Sequence, residues 1–137
     1  LKPLIYALED TEGIVSSNAA TALAQLGQSA VDPLLTVIQN KNKDSFTRGL
    51  AASALGELGD KKATAPLIIA LTDEEPNVRY EAALALRLLG DERALAALVT
   101  TLFDDEKQVH YAAALAFGRL CDERAIDPLF EALSDQD

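Results

Sequence analysis

The chain has 137 residues, 49% of them apolar, with no Trp or Met, one Cys and one His, which is one domain's worth of material and ample for a continuous core built of Ala and Leu. Twenty-two acidic against twelve basic residues give a net charge of −10, which repels a phosphate backbone and argues against nucleic acid as a partner. One Cys excludes an internal disulfide, one Cys with one His cannot build a His/Cys metal site, and neither a bilayer-spanning stretch nor a charged-then-apolar leader is present, so the expectation is a soluble cytoplasmic chain with no metal, no cofactor and no membrane partner.

In chain order, residues 1–32 read as a helical hairpin whose second helix carries Val15, Ala19, Ala22, Leu23 and Leu26 on one arc at about 100° per residue, with Gly27 closing it. Residues 33–65 follow, opened by Asp32-Pro33 and running through Leu34–Ile38; the turn from Asn40 to Phe46 is two residues longer than its counterparts, and Gly59 ends the second helix. In residues 66–96 the first helix is opened by Ala65-Pro66 and covers Leu67–Leu71. Its partner is the clearest helix in the chain: Glu75 stands as cap, Pro76 takes the first helical position where no N–H is needed, and Gly90 supplies the left-handed end. Its core arc is Val78, Ala82, Ala85, Leu86 and Leu89. Residues 97–127 repeat the scheme with Ala96-Ala97, Leu98–Leu102 and the arc Val109, Ala113, Ala116, Phe117 and Leu120, but Cys121 replaces the closing glycine. A partial unit, 128–137, starts at Asp127-Pro128 with a helix over Leu129–Leu133. The first helices also have the option of starting a turn earlier, at Asp60 or Asp91.

These units are copies of one another. Leu58-Gly59-Asp60-Lys61-Lys62-Ala63 returns as Leu89-Gly90-Asp91-Glu92-Arg93-Ala94 and as Leu120-Cys121-Asp122-Glu123-Arg124-Ala125, with a fainter Leu26-Gly27-Gln28 upstream. Gly27 to Gly59 is 32 residues and Gly59 to Gly90 is 31, a period at which a unit buries its apolar face only against its neighbours. The fold class is therefore all-α, an α-solenoid (right-handed superhelix) of about four two-helix repeats plus a terminal helix, unfolding in one cooperative transition. Paired alanines at Ala19-Ala20, Ala51-Ala52, Ala82-Ala83 and Ala113-Ala114 let helices approach closely. With no Met in the chain, Leu1 is not an initiator, and a piece of a longer array is expected.

The pattern Pro-Leu-x-x-x-Leu, acidic turn, Val-Arg, two alanines, Ala-Leu and Leu-Gly-Asp-x-x-Ala resembles the short HEAT repeat of the phycobilin lyase subunits and of related bacterial and archaeal scaffold proteins, over nearly the whole chain. The resemblance implies that the second helices line a concave surface. It also implies a ladder in which an arginine after the valine, here Arg79 and Arg48, pairs with an aspartate of the preceding turn. Asp73 is present, Asn40 stands in the corresponding place one unit earlier, and His110 and Ser16 replace the other two arginines. His110, next to Asp104 and Asp105 in the repeat, reads as a solvated or aspartate-paired stand-in, with a titrating role as the sharper alternative. Deoxyhypusine hydroxylase shares the repeat but binds iron through His-Glu pairs, which this chain lacks; alkylpurine glycosylases of the same type use a basic, aromatic face, which it also lacks.

Acidic triplets at Asp73-Glu74-Glu75 and Asp104-Asp105-Glu106 complement the positive ends of the following helices, a weak cation site being the alternative; they lack the spacing of an EF-hand loop, and no metal is assigned. Asp91-Glu92 and Asp122-Glu123 read as caps with Arg93 and Arg124 pairing locally. Cys121 reads as a small buried hydrophobe. About 180° from the core arc lie Tyr80, Leu84 and Arg87 in one unit and Tyr111, Leu115 and Gly118 in the next, with Arg119 beside them, against Gly49, Ser53, Gly56 and Ser17, Thr21, Ala24 in the earlier units. The expected partner site is thus Tyr80, Leu84, Arg87, Tyr111, Leu115 and Arg119, with no catalytic residue, taking a protein segment, a basic one given the net charge of −9 in residues 66–137. Two other readings stay open: the tyrosines simply shield the leucines, or the same groove holds a tetrapyrrole whose propionates meet the arginines, as the lyase resemblance implies. Oligomeric state is not legible.

Overall fold

The computed structural model describes residues 1–124, with side chains as far as Asp122. The described residues form eight α-helices and no strand: α1 (Lys2–Ala7), α2 (Gly13–Gln25), α3 (Val31–Gln39), α4 (Ser45–Leu58), α5 (Thr64–Ala70), α6 (Pro76–Leu89), α7 (Leu95–Thr101) and α8 (Lys107–Arg124). Short odd helices alternate with long even ones. Each odd helix packs on the even helix that follows it, and α2, α4, α6 and α8 lie side by side in chain order, so the chain builds two layers with the apolar interior between them.

The punctuation has local causes. Gly59 and Gly90 stop α4 and α6 at φ 70° and 64°, the left-handed region that a side chain disfavours. The chain then makes a single 3₁₀ turn before each of α5 and α7. Asp60 and Asp91 cap these turns by accepting from the N–H of Lys62 (2.8 Å) and Arg93 (3.1 Å), so the earlier start is the one adopted. Pro76 does occupy the first turn of α6, but Glu75 at the cap position makes no side-chain bond; Asp73 accepts the Glu75 N–H instead, at 3.0 Å. Cys121 breaks the pattern. Without a glycine the helix does not stop at Leu120, and α8 runs through to Arg124. The expected helix at Leu129–Leu133, its Asp127-Pro128 start and the local pairing of Arg124 lie outside the described residues.

The core arcs are buried in the third and fourth hairpins: Val78, Ala82, Ala85, Leu86, Leu89, Val109, Ala113, Ala116 and Leu120 are all inside, with Phe117 half-buried. The first hairpin departs from this. Ala19 and Leu23 are buried, but Val15 and Leu26 stay 37% and 47% exposed; α2 is the first even helix and has another even helix, α4, on one side alone. Ala83, facing α8, is fully buried, whereas its counterpart Ala114 is exposed. The closest seam is between α4 and α6. A Cβ on Gly56 would meet Ala85 Cα at 2.7 Å, and one on Gly49 would meet Asn77 Nδ2 at 2.8 Å. Both glycines are buried, which corrects their placement on the outward surface: they are contact points between helices, not groove lining.

Candidate functional site

Exposure along the outward stripe of the even-helix layer is uneven. Tyr111 is 62% exposed and Arg87, Gly118 and Arg119 are open to solvent, while Tyr80, Leu84 and Leu115 are half-buried, Tyr80 and Leu84 resting on the core. Arg119 reaches back from α8 and donates to the Arg87 carbonyl at 2.6 Å, tying the two helices together across the stripe. Towards the first hairpin the surface turns polar: Ser17 and Thr21 are exposed, with the Thr21 hydroxyl donating to the Ser17 carbonyl. Two members were missed by counting from the centre of the outward arc. Leu88 is 49% exposed on α6, and Glu81 lies half-buried at the α4 side of the same helix. Both sit on the flank of the arc, where a two-sided helix changes from core to surface.

The arginine ladder exists with its direction reversed. Arg79 donates through Nε (2.8 Å) and a terminal nitrogen (3.1 Å) to both oxygens of Asp104, in the turn of the next unit, and gives its other terminal nitrogen to the carbonyls of Asp73 and Glu74. Arg48 likewise pairs forward with Asp73 and holds the Lys43 carbonyl at 3.1 Å. Side chains of Arg48 and Asp73 are 6% and 3% exposed, so the rung is a desolvated ion pair. Burial works to raise the Asp73 carboxyl, but bonds from Lys41, the Glu75 N–H and Arg48 outweigh it and hold it below the usual carboxylate range; Asp104 is held down in the same way by Arg79 and the Glu106 N–H. Where Arg is replaced by Ser16, the forward acceptor is the uncharged Asn40. Both groups turn inward on their own units, Ser16 to the carbonyls of Glu12 and Gly13 and Asn40 to the Asn42 N–H. His110 is exposed and its Nδ1–H donates to the Leu102 carbonyl, so its described partner is a main-chain carbonyl and neither Asp104 nor Asp105.

The acidic triplets are accounted for by this ladder: Asp73 and Asp104 each bind an arginine and cap the N–H two residues on. Among the described residues no three His, Cys, Asp or Glu side chains converge as metal ligands would. Arg93 pairs locally with Asp91 as expected, and Asp91 also accepts the Thr64 hydroxyl at 2.9 Å, stitching consecutive units on the other edge. The Arg93 bonds drive the Asp91 carboxyl far below its usual range, against the effect of burial. Cys121 is buried at 4% exposure; burial, with Asp122 nearby, pushes its thiol up. An open groove of about 420 Å³ lies elsewhere, between α1 and α3 on the odd-helix layer, lined by Ile5, Tyr6, Pro33 and Val37 and by none of the outward-stripe residues. No described helix is long and apolar enough to cross a membrane.

Comparison with known proteins adds a family and several likenesses. The family model for HEAT repeats matches residues 1–74 and 64–137. Among solved structures, the complex of CpcE and CpcF of phycocyanin lyase from Nostoc sp. PCC7120 is similar at 28% identity and a TM-score of 0.85, over 98% of this chain and 86% of that one. Human deoxyhypusine hydroxylase, solved with glycerol, is 27% identical with a TM-score of 0.70, but the match spans 87% of this chain and only 42% of the enzyme. An engineered protein, 23% identical with a TM-score of 0.59, shares the fold. No curated protein matches the chain by sequence.

Proposed function

Starting from the fact that the chain belongs to the HEAT-repeat family, we propose that it is a non-enzymatic cytoplasmic scaffold that takes a protein segment on the concave surface of its even-helix layer. The observation that carries this is the run of Tyr80, Leu84, Leu88, Tyr111 and Leu115 along α6 and α8, with Tyr111 62% and Leu88 49% exposed. Large side chains left facing water on a layer whose own core is complete are the raw material of an interface centre. Arg87 and Arg119 at its margin suit a carboxylate of the occupant, and the net charge of −10 steers a basic partner towards the array and nucleic acid away from it.

The test is capture from an extract of the native host by the tagged chain and by Tyr80→Ala with Tyr111→Ala. Loss of the captured protein at an almost unchanged melting temperature supports the reading; undiminished capture discards the stripe. A second reading has one observation behind it, the likeness to the phycocyanin lyase complex across 98% of the chain. Here the chain is a lyase-like subunit acting with a related protein, its stripe holding a bilin and its arginines meeting the propionates. Adding a bilin to the chain decides for or against it: a shifted absorption band that disappears in Arg87→Ala with Arg119→Ala favours the lyase-like role, and an unchanged spectrum favours the scaffold.

A further inference from the structure

We infer that Glu81 is a receptor for one cationic side chain of the bound segment, an arginine or lysine set beside the aromatic stripe. The inference rests on the scaffold reading above and gives its occupant a chemistry. Glu81 is half-buried on α6, in the crevice against α4, where its Cγ lies 3.3 Å from the position a Cβ on Gly49 would take. Its neighbours one turn away on the same helix are Asn77, Val78, Leu84 and Ala85, none of them basic. On α4 the one nearby cation, Arg48, is committed to Asp73, and Asn77 donates to the Ser45 carbonyl. Glu81 thus has neither a hydrogen bond nor an ion pair among the described residues, whereas Asp44, Asp60, Asp73, Asp91 and Asp104 all accept bonds.

A partly desolvated carboxylate without a partner is costly to keep charged, and burial does raise this carboxyl. The cost falls when a cation arrives and completes the pair in the same low-dielectric crevice. Register marks the place as singular: Asn18, Leu50 and Ala112 stand at the equivalent positions of α2, α4 and α8. A segment lying over Tyr80 and Leu84 passes beside Glu81, since residues 80, 81 and 84 share one turn of α6. Of the other charged groups on this layer, Glu57 stands two turns along α4 from Gly49 and adds to the attraction. Arg87 is six residues, or about 9 Å, along α6 and does not fill the crevice.

The experiment is selection of a phage-displayed library of random peptides on the intact chain, followed by affinity measurement of a selected synthetic peptide. Peptides with Arg or Lys at a fixed place between apolar residues are expected. Glu81→Gln should weaken such a peptide about tenfold, while Glu74→Gln, an equal change of charge in an exposed turn, should alter it less than twofold. Glu81→Gln removes only a desolvated charge, so its melting temperature should match or exceed that of the parent. Peptides that need Tyr80 and Tyr111 but show no basic preference overturn the inference and leave the scaffold reading standing. Equal losses in Glu81→Gln and Glu74→Gln overturn it as well, by showing attraction to net charge alone. Peptides that need Glu81 but ignore Tyr80→Ala with Tyr111→Ala refute the stripe instead, and failure to select any peptide sinks both.

Discussion

Replacing Asp73 by Asn tests the buried rung between α4 and the α5–α6 turn. Asn keeps an oxygen for the Glu75 N–H, as Asn40 does for Asn42 in its own turn, so the change removes charge and little else. Arg48 is then left buried without its counter-ion, a loss that costs about 3–5 kcal/mol in typical buried pairs. Arg48 keeps its 3.1 Å bond to the Lys43 carbonyl, which places the expected cost near the low end, about 3 kcal/mol. For a domain of this size that is a fall in melting temperature of about 10 °C. Urea melts followed by far-UV circular dichroism measure it, and the double variant Arg48→Met with Asp73→Asn closes the cycle. With both charges gone, the double variant should recover most of the loss, because the penalty is the orphaned guanidinium and not the missing attraction. A cost below about 1 kcal/mol, the size of a surface pair, or a double variant no more stable than Asp73→Asn, would refute the reasoning.

Acid should weaken the array through the same groups. The folded carboxyls of Asp73 and Asp104 lie below their unfolded values, so their contribution is complete above the ordinary carboxylate range and is lost as pH falls through that range and below it; the Arg48→Met, Asp73→Asn variant should show a shallower loss in the same urea titrations. Ala83→Leu forces a larger side chain into the fully buried seam between α6 and α8 and should cost about 1–3 kcal/mol by thermal denaturation; a neutral result would mean the helices are free to part. The Cys121 thiol, 4% exposed and pushed up in pKa, should react with Ellman's reagent slowly when folded and promptly in denaturant, and prompt reaction of the folded chain would contradict its burial.

The fold could be read from the sequence because its determinants are local: Gly59 and Gly90 need the left-handed region, Pro76 fits a first turn, and Val78, Ala82, Ala85, Leu86 and Leu89 share one arc wherever the helix is placed. The ladder's direction could not. Arg79 lies six residues from Asp73 and 25 from Asp104, and only the displacement from one unit to the next brings the distant carboxylate to the guanidinium, leaving the near turn to supply carbonyls. Gly49 and Gly56 misled for a related reason: an arc computed for an isolated helix does not know how far the neighbouring helix leans over its edge, so seam glycines read as outward-facing. Glu81 and Leu88 fall on the same flanks. Tyr111, at the centre of the arc, was legible as exposed, whereas the partial burial of Tyr80 and Leu84 comes from packing against the shared core, which one helix's periodicity does not reveal.

Forward pairing of Arg48 with Asp73 and of Arg79 with Asp104 also decides where this chain can be cut and rejoined. A single hairpin grafted into an unrelated chain, from the start of an odd helix to the end of the next even one, carries an aspartate and an arginine whose partners both stay behind. The piece that travels intact begins at an even helix and ends after the following acidic turn. Anyone moving a module into a foreign array should take that offset piece, whereas tandem copying inside this array keeps every rung in either frame, because each copied turn meets the arginine of the unit before it.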